Sequence, residues 1–253
     1  MDLEKYDYIL SVGTFFEDEN LKNSLEKACK NEANFIFMHP IDKYILKELY
    51  KQFIKYEVGS EEAILALILY FFAKKDNSIK EYLENLDIGY LSAESSAGED
   101  EFEDIFSIYE KASKKALILG DDLLNHKNIE NILTLVKSIE KYTDFSIFFS
   151  SKELENSYKS SLEKNLEEPE DLESFNGTIL YFSKNCSLNE KILASQTFLN
   201  IAKVKSGDMV SYKIENISYK KEIILDENLF GTIAITNKES NLYSFCKVAL
   251  EKE

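Results

Sequence analysis

Two histidines, three cysteines, one acid cluster and two apolar runs that end in glycine hold most of the chemistry this sequence could do. His39 closes an apolar run and precedes Pro40, while His126 stands in the polar loop that opens a periodic apolar stretch. At the carboxyl edge of a parallel sheet either ring could act as a base or a metal ligand. Neither has an evident carboxylate or thiol partner nearby in sequence, so both are read as histidines of ordinary loops. Cys29, Cys186 and Cys246 lie far apart and form no CxxC pair, so no iron–sulfur or zinc site made by this chain alone is expected. The acids of Glu99 to Glu103 lack the DxDxDG spacing that folds a loop around calcium, and are read as a solvated helix start. The first glycine loop, GTFFEDEN from Gly13, has one glycine where a dinucleotide fold requires GxGxxG, and acids where a pyrophosphate would lie. Classical NAD or FAD binding is therefore not expected, because the close backbone approach needs those glycines. The second loop, Gly120-Asp121-Asp122, also places carboxylates after its glycine.

These loops need strands and helices to hold them. Tyr8 to Val12 predicts a strand before Gly13, Asn20 to Lys30 a helix with Leu21, Leu25 and Ala28 on its apolar face, and Asn34 to Met38 a second strand. Ala116 to Leu119 is a buried strand ending at Gly120. Ile129, Ile132, Leu133, Leu135, Val136 and Ile139 then recur at helical spacing, with Asn128 at the N-cap position and Glu130 against the positive helix end. Phe145 to Phe149 is the next strand, and strand–helix–strand in this order implies a parallel sheet. Between these units the sequence predicts helices over Ile41 to Tyr56, Ala63 to Ala73 and Ile79 to Leu86, then a small-residue acidic loop over Ser92 to Asp100. Residues 1–150 are thus expected to form an α/β, Rossmann-like domain. Residues 151–174 are polar and acidic and are expected to be a partly helical, mobile linker. From there the period becomes strand-like, at Thr178 to Phe182, Met209 to Ile214, Lys221 to Leu225 and Gly231 to Ile235, with one helical piece near Ser195 to Ala202. Residues 175–253 are expected to be a small β-rich domain.

The balance of 46 acidic against 30 basic residues gives a formal net charge of −16, which repels phosphate backbones and anionic lipid, so nucleic acid is not an expected partner. No arginine occurs, which leaves anion recognition to lysines and backbone amides. Met1 to Tyr8 carries acids and no apolar core of a secretory signal, and the run Leu65 to Ala73 is stopped by Lys74 and Lys75 far short of the ~20 residues that span a bilayer. A cytoplasmic location with reduced thiols is expected.

Several stretches in order carry a family likeness. Tyr8 to Thr14 with Ala33 to Pro40, the helix VGSEEAILAL from Val58 to Leu67, and above all ALILGDDLLNHKNIENILTL from Ala116 to Leu135 resemble the molybdopterin oxidoreductase superfamily. Within it they are most similar to a part of the NADH-quinone oxidoreductase, respiratory complex I. That part is the large domain of the peripheral-arm subunit that carries electron-transfer clusters in a ferredoxin-like N-terminal region. Phe198 to Ile214, FLNIAKVKSGDMVSYKI, looks like the family's C-terminal cofactor-binding domain. The resemblance implies a parallel-sheet βαβ domain of the molybdopterin-oxidoreductase type followed by a double-psi-barrel-like one. It places Gly13, Thr14, Gly120 and Asp121 where active relatives line the cofactor pocket. The family's cysteine-rich cluster module and its metal-ligating Cys, selenocysteine or Ser have no counterpart here. These loops are therefore read as vestigial, with no cofactor, no metal and no catalytic residue expected. The implied role is a redox-inactive structural subunit or fragment of the complex I peripheral arm, on the cytoplasmic side of the membrane and attached through the other peripheral-arm subunits rather than inserted. The alternative is a nucleotide- or pterin-binding α/β protein or enzyme using the same glycine loops.

Overall fold

Alternation along the first strand explains the layering of the N-terminal unit. In the computed structural model, which describes residues 2–74, 76–162, 164–169, 172, 174–184, 186–237 and 242–253, β1 spans Tyr8–Val12 and every residue of it is buried. Tyr8, Leu10 and Val12 enter one apolar cluster and Ile9 enters another on the opposite face. A strand covered on both sides reads as a continuous apolar run, as parallel strands do. The same split holds for β2, Asn34–Met38, and β4, Lys115–Leu119, which flank β1 in parallel with Leu10 opposite Ile36 and Leu117. β3, Tyr50–Ile54, and β5, Phe145–Phe149, complete a five-stranded sheet of order β3-β2-β1-β4-β5 in which every pairing is parallel.

One face is covered by α1, Glu19–Lys30, which buries Leu21, Leu25 and Ala28. The larger cluster on the other face is built around α2, Glu61–Phe72, in which every side chain from Ala63 to Leu69 is fully buried. A helix that is apolar all round belongs in a core. It is joined by α3 (Asn77–Asn85), α4 (Ile88–Ser95), α5 (Glu99–Tyr109) and α6 (Ile129–Tyr142).

Two expectations are corrected here. Ile41 to Tyr56 is not a helix but a short 3-10 turn, Tyr44–Leu46, followed by β3. The Lys, Glu and Leu content favours a helix, yet pairing with β2 and the contacts of Tyr50 and Phe53 with Phe37 override it. Part of the expected Ser92 to Asp100 loop lies in α4, and Asp87 starts that helix by accepting the Tyr90 amide at 2.9 Å. The stretch 151–174, expected as a partly helical, mobile linker, carries α7 over Lys152–Ser160. Ser151 caps it and Leu154 is fully buried in the larger cluster, against which Leu166 and Leu172 also pack. The chain divides into one unit of Met1–Pro40 and Leu46–Glu173, and a second of Ile41–Ile45 and Ser174–Glu253. Met1, Lys75, Glu163, Glu170, Asp171, Glu173, Asn185, residues 238–241 and the side chain of Cys186 lie outside the described residues.

The second unit is a curled, mixed seven-stranded sheet. Its strands are β6 (Ile179–Ser183), β7 (Lys191–Ala194), β8 (Met209–Ile214), β9 (Ile217–Leu225), β10 (Ile233–Asn237), β11 (Phe245–Lys247) and β12 (Glu251–Lys252), in the order β11-β6-β10-β7-β9-β8-β12. β6 with β10 and β7 with β9 are parallel; the other pairs are antiparallel. The helix expected near Ser195 is α8, Gln196–Ala202, capped by the Ser195 hydroxyl on the Phe198 amide at 3.0 Å. Among the described residues no helix is long and apolar enough to cross a membrane.

Candidate functional site

The strand order reverses between β1 and β4, and in open α/β sheets ligands bind beyond the carboxyl ends of the strands at such a point. Gly13, Thr14, Gly120 and Asp121 all meet there. Gly13 adopts φ +65°, a left-handed conformation that glycine accepts without strain. The Gly120 amide donates to the Val12 carbonyl at 2.9 Å and the Asp122 amide to the Gly13 carbonyl at 3.1 Å. A methyl group on Gly120 would lie 1.7 Å from the Gly13 oxygen, so the two loops are in direct backbone contact.

Residues around this contact close it further. Phe15 and Phe16 are buried, and Thr14 accepts the Phe16 amide at 3.4 Å. The N-terminus of α1, the usual seat of a phosphate, is capped from within by Asp18, whose carboxylate accepts the Leu21 amide at 2.8 Å. Asp121 accepts hydrogen bonds from the hydroxyls of Ser150, at 3.1 Å, and Ser151. Asp122 is buried and pairs with His39, Oδ2 to Nε2 at 2.9 Å. The His39 ring, fully buried, stacks on Phe37 at 5.6 Å between centroids and lies against Phe15.

The second histidine occupies the other end of the same loop. His126 Nε2 is 3.1 Å from the Gly59 carbonyl and 3.6 Å from Glu61, a fully buried carboxylate at the start of α2. Tyr56 lies among Glu61, Asp122 and the Gly13 backbone without a hydrogen bond of ordinary geometry. Burial first, then the Glu61 and Asp122 carboxylates, push its phenol well above the ordinary range. Glu62, also buried, accepts from the side-chain amides of Asn128 and Asn131, each at 2.6 Å. Burial pushes its carboxyl up, against the pull of those two amides and of Lys127. Asn131 also clips the backbone of Glu167, donating to its carbonyl at 2.8 Å and accepting from its amide at 3.2 Å.

Both histidines lie in loops, as the sequence suggests, and the fold brings each, buried, beside a carboxylate. His39 and Asp122 are 83 positions apart, so only the folded sheet could reveal them as a pair. The same holds for the Glu62–Asn128–Asn131 cluster, which has no local signature in sequence. The acids of Glu99 to Glu103 open α5, where Glu101 accepts the Gly98 amide at 2.9 Å, a helix-capping role. Cys29 is half-buried, and burial followed by Glu26 pushes its thiol up to about 11; burial also raises Cys246. Among the described residues no group of three or more His, Cys, Asp or Glu side chains forms a metal site.

An open concavity of the first unit, about 530 Å³, lies between α3, α6 and residues 164–168. Its lysines are already engaged: Lys137 donates to the Ser161 carbonyl, Lys164 pairs with Glu130, and Lys141 sits over the Tyr142 ring at 4.9 Å. Comparison with protein-family models and with curated proteins finds no match for this chain.

Proposed function

We propose that this chain is a redox-inactive structural subunit or fragment of the peripheral arm of complex I, similar to the large domain of that arm's cluster-carrying, molybdopterin-oxidoreductase-like subunit, with other peripheral-arm subunits as its partners. The observation that carries the inactive part of this reading is the backbone contact of Gly120 on Gly13, at the position where a ligand of such a sheet would sit. The parallel order β3-β2-β1-β4-β5 supports the kinship, because the two motif-bearing loops that resemble the family, after β1 and after β4, are neighbours in it. The carboxylates expected to repel a phosphate act differently in this reading. Asp121 and Asp122 hold the loop closed through Ser150, Ser151 and His39. A scaffold benefits from such closure, since a fully bonded polar cluster fixes one conformation of the edge it occupies. The partner half of the proposal rests on the family resemblance.

Affinity capture of the tagged chain from its native host, read by mass spectrometry, tests the partner assignment. Recovery of other peripheral-arm subunits of a respiratory NADH dehydrogenase is the expected result. Recovery of the bait with no respiratory subunit, from extracts in which those subunits are detected, overturns it.

A further inference from the structure

The two ring nitrogens of His126 are engaged in opposite senses. Nδ1 lies 3.0 Å from the backbone nitrogen of Asn128, a fixed donor, so Nδ1 is the unprotonated acceptor. The neutral ring then carries its proton on Nε2, which faces the Gly59 carbonyl at 3.1 Å and lies 3.6 Å from the Glu61 carboxylate. A second proton at Nδ1 would set N–H against N–H and remove the Asn128 contact. The resulting imidazolium would at the same time be drawn to Glu61. The charged and titratable groups at or near this ring include Glu61 of α2, 3.6 Å from Nε2; Glu62, which the Asn128 side chain reaches; Lys127, next in the chain and drawn to Glu62; and Tyr56 and Asp122, with Tyr56 beside Glu61 and His39 on Asp122. The carboxylates among them favour the charged ring, whereas the Asn128 amide tolerates only the neutral one.

We propose that His126 is a two-position latch. The neutral ring holds the Asn128 amide and, through it, the start of α6; the charged ring turns its hydrogen bonding to Glu61 and releases that amide. Asn128 is the residue before α6, and its side chain donates to Glu62, so release loosens both the 120–128 loop and the Glu62 cluster. The device is independent of the proposed respiratory role.

The test uses the intact chain, whose two histidines give only two imidazole spin systems. Imidazole nitrogen shifts and amide exchange are followed from about pH 8 to about pH 5, the span in which histidine changes charge. At the upper end His126 should show the Nε2–H tautomer and Asn128 a protected amide. As the ring gains its second proton, the protection factor of the Asn128 amide should fall by about tenfold or more, while that of Leu117 in β4 stays constant. The variant His126→Asn, whose Oδ1 accepts at every pH, should hold the amide without a pH response. Three results would overturn the latch: an Nδ1–H tautomer at the upper end, an Asn128 amide still protected beside a doubly protonated ring, or a ring that stays neutral until the whole unit unfolds. If His126→Asn does not fold, the wild-type measurement decides alone.

Discussion

Gly120 is the residue on which the candidate site turns. Any side chain there meets the Gly13 carbonyl and the Thr14 backbone at distances no rotamer can relieve. Gly120→Ala should therefore destabilise the first unit by about 3 kcal/mol, the upper end of ordinary overpacking, as read from the urea midpoint. An alanine variant of unchanged stability would mean that the two loops are not in contact. Glu62 supplies a second residue-scale prediction. Its folded-state carboxyl is raised above the ordinary 4.5, by burial first, so the ionised form is disfavoured in the fold. The sign follows: stability falls as pH rises from the ordinary carboxylate range through the raised value, and acidification from neutrality restores it. Asp7 has the opposite sign. Burial raises its carboxyl, but the amides of Ser113 and Lys114 together hold it below 3.8, so its contribution is present above that value and lost only in stronger acid. The difference in urea midpoint between the wild type and Glu62→Gln should therefore change in the direction set by Glu62 as pH rises from the ordinary carboxylate range through the raised value. A difference independent of pH across that window contradicts the assignment.

At the scale of elements, much of the first unit was legible because its strands are both-face buried and its helices amphipathic. β1, β2, β4, β5, α1 and α6 sit where runs such as Tyr8–Val12 and Ala116–Leu119 and the period of Ile129 to Ile139 place them. β3 was not legible, since an edge strand carrying Lys51 and Gln52 has little apolar alternation to show, and its partner β2 is what makes it a strand. α7 lies in a stretch whose acidic composition reads as a partly helical linker; one buried leucine, Leu154, and the Ser151 cap anchor it, too little signal for periodicity to set its bounds. The segment after α7 depends on a contact no sequence pattern announces, the Asn131 clip on Glu167 joined by Tyr82, whose hydroxyl donates to the same carbonyl at 3.5 Å. Asn131→Ala removes this clip and one of the two amides on Glu62. It should cost about 2 kcal/mol and speed cleavage by a Glu-specific protease after Glu167 or Glu168 relative to cleavage elsewhere. Equal cleavage patterns in wild type and variant would show that the segment is held by something else.

At the scale of the whole molecule, the chain carries a formal charge of −16 and no arginine, and it holds a five-stranded parallel sheet and a separate mixed sheet. Function was less legible than fold. The candidate loops could be named from sequence, but whether they open to a ligand depends on the distance between Gly13 and Gly120, residues more than a hundred positions apart. The closed crevice is the central claim, and a thermal-shift panel of nucleotides, dinucleotides and pterins on the intact chain tests it most directly. A ligand present at about 100 times its Kd adds about 2.7 kcal/mol of stability, enough to move a melting temperature by several degrees. The account predicts no shift for any member of the panel; a saturable shift with a nucleotide or pterin, with protection from exchange at Gly13, Thr14 and Gly120, would contradict it.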